Sequence, residues 1–366
     1  MQPGKLSKRQ GIFLLIPFVL STDVLIIPGA PLQLADHGAW LSSLLATGLG
    51  LTITFFITKL ISWEPHLLIT ERFRLLLGKR LGTLISAMFV YFILFSYILI
   101  LREGSELVRI SFLADTPLTV IMGGLTLLAL YGALLGIETI SRFNILVFPF
   151  FFLSFIILFL SSLAHPDWTN LAHPLENGLH PVLAGSIAPL SWLCELIVLW
   201  LVVPDLNLPK KETFYFPFFI TFSAGLLMTL NIITIQISLG ANLGQQYTFP
   251  ILEVGRSLFS RESLRGLDAL LMTIWVMGLI AKLSFLLYYG LHELSYIVHI
   301  NDMKNLLLPT GILFHILGMA SIDNIKELEN VTRSISPFVA LGTYEGVFPI
   351  LLFPLILRHL RRQGGV

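Results

Sequence analysis

The chain has 366 residues, of which 55% are hydrophobic and 12% are charged, and its formal net charge is +1. A soluble domain carries about 25% charged residues, so this composition excludes a soluble globular protein. The near-neutral charge gives no reason to expect nucleic acid as a partner. The one cysteine, Cys194, excludes an intrachain disulfide and a cysteine-based metal cluster. We therefore predict an all-α polytopic membrane protein, with residues 1–366 forming one integral membrane domain.

The N-terminal segment Met1–Gln10 is short and basic. No small-residue cleavage site follows it, so we expect a retained first span rather than a signal peptide. Beyond it, uncharged stretches of about 20 residues have the length that a helix needs to cross a bilayer. They predict about ten spans, near residues 11–32, 39–60, 81–102, 117–136, 142–163, 182–204, 213–238, 268–297, 305–322 and 335–357.

The orientation of these spans is predicted from the Lys and Arg residues in the connecting loops. With the N-terminus in the cytoplasm, the inner segments hold 15 of these residues and the outer segments hold 7. Because basic residues accumulate on the cytoplasmic side, we expect both termini on the cytoplasmic side of the cell membrane and an even number of spans. The segment from His66 to Lys79 is amphipathic and is consistent with either a surface helix or an ordinary charged loop.

Two predicted spans carry features of broken helices. In span 1, Pro17 and Pro28 flank the polar triplet Ser21-Thr22-Asp23, and in span 6, Pro181 and Pro189 accompany Gly185-Ser186 and Ser191. Proline removes a backbone donor and disrupts the helix, although a kinked continuous helix is the alternative. Breaks at corresponding positions of two halves point to a transporter-type site at the membrane midplane. The halves are expected near residues 11–163 and 182–357.

Isolated charges lie inside three spans, namely Glu195 in span 6, Lys282 in span 8 and Glu345 in span 10. A lone ammonium in hydrocarbon needs a carboxylate or carbonyl partner, so we expect Lys282 to pair with Asp23 or Glu195. The alternative is that Lys282 extends to an interface. Nothing in the sequence near Glu345 decides whether it is paired or faces water.

Two further charge pairs have helical i,i+4 spacing. We expect Arg102 and Glu106 to form part of a solvated outer rim, and Glu138 and Arg142 to form a structural clamp. The sequence contains no phosphate-binding loop, dinucleotide-binding glycine motif or HExxH motif, so we expect neither an enzyme nor a bound cofactor or metal.

The order of several short motifs is similar to that of a known family. They are Leu6-Ser7-Lys8-Arg9-Gln10, Ile26-Ile27-Pro28, Leu101-Arg102-Glu103 with Glu106 and Thr116-Pro117, Gly136 to Arg142, Phe148-Pro149, Phe249-Pro250, Arg265 with Asp268, Trp275 and Lys282. Over nearly its whole length the chain resembles the B subunits of spore germinant receptors, the GerB family of the amino acid–polyamine–organocation superfamily. It departs from that family at Ser21-Thr22-Asp23, where members often have a glycine-containing segment.

The resemblance implies a LeuT-like fold of two inverted five-helix repeats in the inner membrane of the spore. It also implies a complex with an A subunit and a lipoprotein C subunit, in which a nutrient, an amino acid, binds and triggers germination. On this basis the ligand is expected between spans 1, 3, 6 and 8. The expected contacts are Ser21, Thr22, Asp23, Tyr97, Gly185, Ser186, Ser191, Lys282 and Ser284. The alternative is an active amino-acid or amine transporter of the same fold.

Overall fold

The computed structural model describes residues 6–258 and 267–363, and the described chain is almost entirely helical. Its first seven helices are α1 Lys8–Asp23, α2 Gly29–Ala35, α3 Ala39–Trp63, α4 Ile69–Leu77, α5 Lys79–Ser111, α6 Leu118–Leu135 and α7 Ile137–Ser162. The next five are α8 Leu179–Gly185, α9 Ile187–Cys194, α10 Leu199–Val202, α11 Lys210–Gly244 and α12 Pro250–Leu258. The last five are α13 Leu267–Val298, α14 Lys304–Ala320, α15 Ile325–Asn330, α16 Ser336–Gly342 and α17 Val347–Gln363.

Within the described ranges, 8 segments are long and apolar enough to cross a membrane. Predicted spans 1 and 9 correspond to shorter pieces, because α1 has 16 residues and α14 has 17. We keep the span numbers of the prediction. Span 1 comprises α1 and α2, span 3 is α5, span 6 comprises α8 to α10, span 8 is α13, and span 10 comprises α15 to α17.

Span 1 is broken, as its prolines predict. Helix α1 begins with a capping box, in which Ser7 and Gln10 each accept a hydrogen bond from the other's backbone amide. It ends at Asp23, and Val24–Pro28 is non-helical before α2 begins. The break therefore follows the polar triplet rather than lying within it. Pro28 has no amide hydrogen, so it cannot continue the backbone ladder of α1.

Span 6 changes its helical form at several points instead of unwinding at one, and it ends in a 3₁₀ turn over Val203–Asp205. The first change is at Ser186, between α8 and α9. The second is a 3₁₀ turn over Glu195–Val198 that leads into α10. The tighter turn rotates the side chains that follow it relative to α9.

Span 10 contains an interruption that the sequence analysis did not predict. A π-helical turn over Val331–Ile335 leads into α16, which ends at Gly342. Thr343 has φ −117° and ψ −112°, and the helix resumes only at Val347. Glu345 is therefore part of a non-helical segment inside the span.

Spans 6 and 8 form the centre of the bundle. In their most apolar stretches 83% and 78% of the residues are buried, against 33% in α6 and in α7. The low values of α6 and α7 are those of helices that present much of their surface to lipid. Site residues on spans 6 and 8 are thus held by protein on most sides.

Two expectations about charged segments are settled by the structure. Residues 69–77 form helix α4, so the amphipathic segment is a helix rather than a loop. The expectation of a solvated rim at Arg102 and Glu106 is wrong, because α5 continues to Ser111 and both side chains are buried. Arg102 donates to Glu106 at 3.2 Å and to the Gly318 carbonyl at 3.4 Å, so the two charges pair inside the protein.

Candidate functional site

Lys282 is the central charge of the candidate site. It lies on α13 and is 1% exposed. Its Nζ is 2.6 Å from Glu195 Oε2 and donates to the Thr22 hydroxyl, also at 2.6 Å. The rings of Phe18 and Trp192 lie 4.8 and 4.9 Å from Nζ. A side chain with these contacts does not extend to an interface, and it connects spans 1, 6 and 8.

Asp23 was the other candidate partner of Lys282. Its backbone ends α1, but its side chain lies outside the described part of the structure. A pair between Asp23 and Lys282 therefore stays a prediction, whereas the contact between Lys282 and Glu195 is observed.

A second buried carboxylate, Glu345, lies in the interruption of span 10. It is 2% exposed, and its Oε2 accepts a hydrogen bond of 2.9 Å from the Ser191 hydroxyl. Among the described residues, neither an ion pair nor a second side-chain hydrogen bond is made by Glu345. Glu345 therefore lacks the cationic partner that Glu195 has.

A third carboxylate, Glu103 on α5, is 2% exposed and close enough to Lys282 and Glu195 to interact with both charges. Its Oε1 has no hydrogen-bond partner in the described structure. Among the side chains that the structure describes, one ammonium thus serves a region with three acidic side chains, and this arrangement favours the entry of a further positive charge or of protons.

A cavity of about 600 Å³ lies beside these carboxylates, between spans 3, 6 and 10. Its polar edge contains Glu195, Glu345 and Ser191, and most of the remaining wall is apolar or aromatic. Tyr91 and Val339 line it and are largely exposed, so the cavity opens between α5 and α16. The remaining lining residues are Ala87, Met88, Phe92, Phe95, Ser96, Leu99, Ile100, Trp192, Val331, Ile335, Ser336, Ala340, Thr343 and Tyr344.

Of the residues predicted to bind ligand, Ser191 alone among those described lines this cavity, together with Glu195 from the predicted charge pair. Ser21 is buried against Gly278, where an added Cβ would lie 3.3 Å from the Ser21 Cβ. Tyr97 packs on Phe314, with ring centroids 5.5 Å apart.

The other predicted residues make local or packing contacts. Ser186 and Ser284 donate to carbonyls of their own helices, and Gly185 packs against Ser42. Thr22 is bound to Lys282. The space between spans 1 and 8 is filled by side chains, so the structure brings the polar groups together beside span 10 instead.

The non-helical backbone of the span 1 break is buried, and side chains from other spans donate to its carbonyls. Asn231 Nδ2 donates to the Val24 carbonyl at 3.1 Å, and Arg333 Nε donates to the Ile26 carbonyl at 3.1 Å. Arg333 also donates to the carbonyls of Tyr247 and Thr248, at 2.9 and 3.2 Å. Carbonyls that are occupied in this way have fewer lone pairs to offer a ligand or cation.

The face of the bundle that bears the N-terminus is also closed. Leu6 exchanges backbone hydrogen bonds of 2.9 Å with Asp205 and Asn207 at the end of span 6. Arg72 on α4 is fully buried and donates to the carbonyls of Glu64, Pro65 and Trp200. Burial lowers the pKa of Arg72 to about 10. This value is still well above 7, so Arg72 stays charged at neutral pH.

The family model for spore germination proteins, Spore_permease, matches residues 5–324. This chain belongs to the spore germination protein family. Its relatives include spore germination protein KB of Bacillus subtilis, 26% identical over 99% of this chain and 97% of the relative. Spore germination protein YndE of the same organism is 26% identical over 99% and 98% of the two chains.

Solved structures similar to this family member are transporters. Mhp1, a nucleobase-cation-symport-1 transporter with bromovinylhydantoin bound, has a TM-score of 0.68, 13% identity, and coverage of 93% of this chain and 76% of its own. MhsT in complex with L-phenylalanine has a TM-score of 0.63 and 13% identity, with 96% and 90% covered. These likenesses show the LeuT fold, which the family resemblance implied. The chain is thus a multi-pass, permease-like membrane protein of the germination family. Among the described residues, no group of three or more His, Cys, Asp or Glu is placed to hold a metal ion.

Proposed function

We propose that this chain is the membrane-embedded, ligand-binding subunit of a spore germinant receptor. A small nutrient binds in the cavity between spans 3, 6 and 10 and triggers germination. The observation that carries the proposal is the cavity of about 600 Å³ beside two buried carboxylates, Glu195 and Glu345. Both carboxylates come from interruptions in their helices, where small backbone changes are less restricted than in a regular helix. Ligand contacts at these positions are thus coupled to the shape of spans 6 and 10.

The proposed site differs from the one expected from the sequence. Lys282 occupies the junction of spans 1, 6 and 8, and Arg333 and Asn231 cover the carbonyls of the span 1 break. These contacts hold spans 1, 6 and 8 together. A receptor can function with such a core, because ligand binding needs only to shift the equilibrium between two conformations of the protein. The subunit acts in the spore inner membrane with both termini in the cytoplasm. Its partners are a germinant receptor A subunit and a lipoprotein C subunit.

The second candidate function is an active amino-acid or amine transporter. The match to ligand-bound transporters over more than 90% of this chain favours it. Both functions need the same pocket, so the pocket does not distinguish them. They differ in whether the ligand crosses the membrane.

The test uses spores that lack this chain and liposomes that contain it alone. For a receptor subunit, the spores lose germination to particular nutrients but keep nutrient uptake, and the liposomes show no saturable accumulation. Gradient-driven, saturable uptake by the liposomes would establish the transporter instead. Unchanged germination to every nutrient that the parent spores respond to would remove the receptor function.

A further inference from the structure

The charges around the cavity are unequally matched. Lys282 is bound to Glu195, to the Thr22 hydroxyl and to two aromatic rings. The side chain of Glu345 has a single hydrogen bond within the described structure, from the neutral Ser191 hydroxyl. Its Oε1 has no hydrogen-bond partner among the residues that the structure describes. A buried carboxylate with so little compensation is unstable as an anion unless a cation joins it.

The position of Glu345 makes it available to a ligand. It lines the cavity, and the segment Thr343–Gly346 that carries it is non-helical. The backbone amide of Glu345 still bonds to the Ala340 carbonyl at 3.0 Å, so the segment is fixed rather than loose. The same wall presents Tyr344, whose aromatic ring can attract a cation.

The rest of the cavity restricts the body of the ligand. The α5 wall is formed mainly by Met88, Tyr91, Phe92, Phe95 and Leu99. Side chains of this kind bind an apolar group by excluding water from it, and they offer few partners to hydroxyls. A sugar, which carries many hydroxyls and no positive charge, is poorly matched to both parts of the cavity.

From this arrangement we propose that Glu345 binds the protonated amine of the ligand, and that the ligand is a small amine with an apolar body. The ammonium takes the place of the cation that Glu345 lacks, and Ser191 holds the carboxylate in position. This inference rests on the proposed function and specifies its ligand class. An analogue without the amine leaves Glu345 unpaired and should bind at least about 100-fold more weakly.

The first experiment uses the purified full-length chain and three matched probes. L-Leucine carries an amine and a carboxylate, 3-methylbutylamine carries the amine alone, and 4-methylpentanoic acid carries the carboxylate alone. Ligand-dependent thermal stabilisation should be strongest with 3-methylbutylamine, weaker with L-leucine, whose carboxylate meets the acidic edge of the cavity, and absent with 4-methylpentanoic acid. Stabilisation by the acid but not by the amine overturns the proposal, and so does stabilisation by none of the three.

The second experiment separates loss of charge from loss of folding. Glu345→Gln keeps the size and the Ser191 contact but removes the charge, and Glu345→Asp keeps the charge on a shorter side chain. Glu345→Gln spores should need about 100-fold more amine nutrient to germinate, and Glu345→Asp spores should respond at intermediate concentrations. Glu138→Gln is the control, because Glu138 is an exposed carboxylate paired only with Arg142.

Each variant is compared at equal protein level in the spore membrane. If deletion of the chain abolishes germination but Glu345→Gln responds to amine nutrients like the parent, the ligand class is wrong and the receptor function stands. If deletion has no effect on germination, the receptor function itself fails. An undiminished response to sugars that the deletion strain has lost also overturns the amine assignment.

Discussion

The contact between Lys282 and Glu195 predicts a strongly coupled pair of substitutions. Nζ and Oε2 are 2.6 Å apart, and the two side chains are 0% and 13% exposed. At an effective dielectric constant of about 20, unit charges at this separation attract by about 6 kcal/mol, which is an upper bound on the net contribution. Because Lys282→Met strands the Glu195 carboxylate, it should lower the free energy of unfolding by about 3–5 kcal/mol. Glu195→Gln should cost less, because Glu103 and the Thr22 hydroxyl still stabilise the Lys282 ammonium.

The double variant should recover part of that loss, because it removes both members of the pair together, while Glu103 and Glu345 stay without the ammonium. Unfolding of the purified chain in detergent is measured for the parent, the two single variants and the double variant. The cycle should give a coupling energy of about 3 kcal/mol or more. The matched control is the exposed pair Glu138 and Arg142, for which the coupling should stay below about 1 kcal/mol. Additive effects of Lys282→Met and Glu195→Gln would refute the pair.

Three further predictions test other parts of the structure. Glu106→Gln removes the partner of buried Arg102 and should lower the free energy of unfolding by about 3–5 kcal/mol, whereas Arg109→Gln, on a side chain that is 39% exposed, should lower it by less than about 1 kcal/mol. Equal losses in thermal unfolding would contradict this difference. Gly29→Ala places a Cβ against the Arg333 guanidinium, so it should reduce the nutrient response, and Arg333→Ala should do the same; Gly124→Ala, which meets open space, should leave the response unchanged. A normal response in Gly29→Ala would mean that the response does not depend on the hydrogen bond from Arg333 to the Ile26 carbonyl. In a Cys194→Ala background, cysteines at positions 7 and 363 should be shielded from an external thiol reagent and a cysteine at 170 should react, and opposite labelling of the two termini would contradict the 15 to 7 bias of basic residues.

The sequence predicts the fold well because membrane spans depend on features that are local in the chain. Uncharged stretches of about 20 residues locate the helices, and prolines around Ser21-Thr22-Asp23 locate the break of span 1 to within a few residues. The break follows the triplet because Val24–Pro28, rather than the triplet itself, leaves the helix.

Positions that depend on contacts between spans are harder to predict. Tyr97 and Ser284 lie on the predicted spans, but their helical faces point toward other neighbours. The interruption of span 10 was missed although Pro337 and Pro349 flank it; its further signal is the pair Gly342 and Gly346 around an acidic residue. The i,i+4 spacing of Arg102 and Glu106 correctly predicted a pair, but spacing along a helix carries no information about which helix covers that pair.

The role of the cavity as the nutrient site is tested most directly by filling it. Ser96 lines the cavity on α5, and its hydroxyl bonds only to the Phe92 carbonyl of its own helix. Ser96→Trp should therefore occupy the ligand space with little effect on the rest of the bundle. Leu84→Trp, at an exposed position of α5 outside the cavity, is the matched control. At equal protein levels, Ser96→Trp spores should lose the nutrient response and Leu84→Trp spores should keep it. A full response from Ser96→Trp would show that the nutrient binds elsewhere.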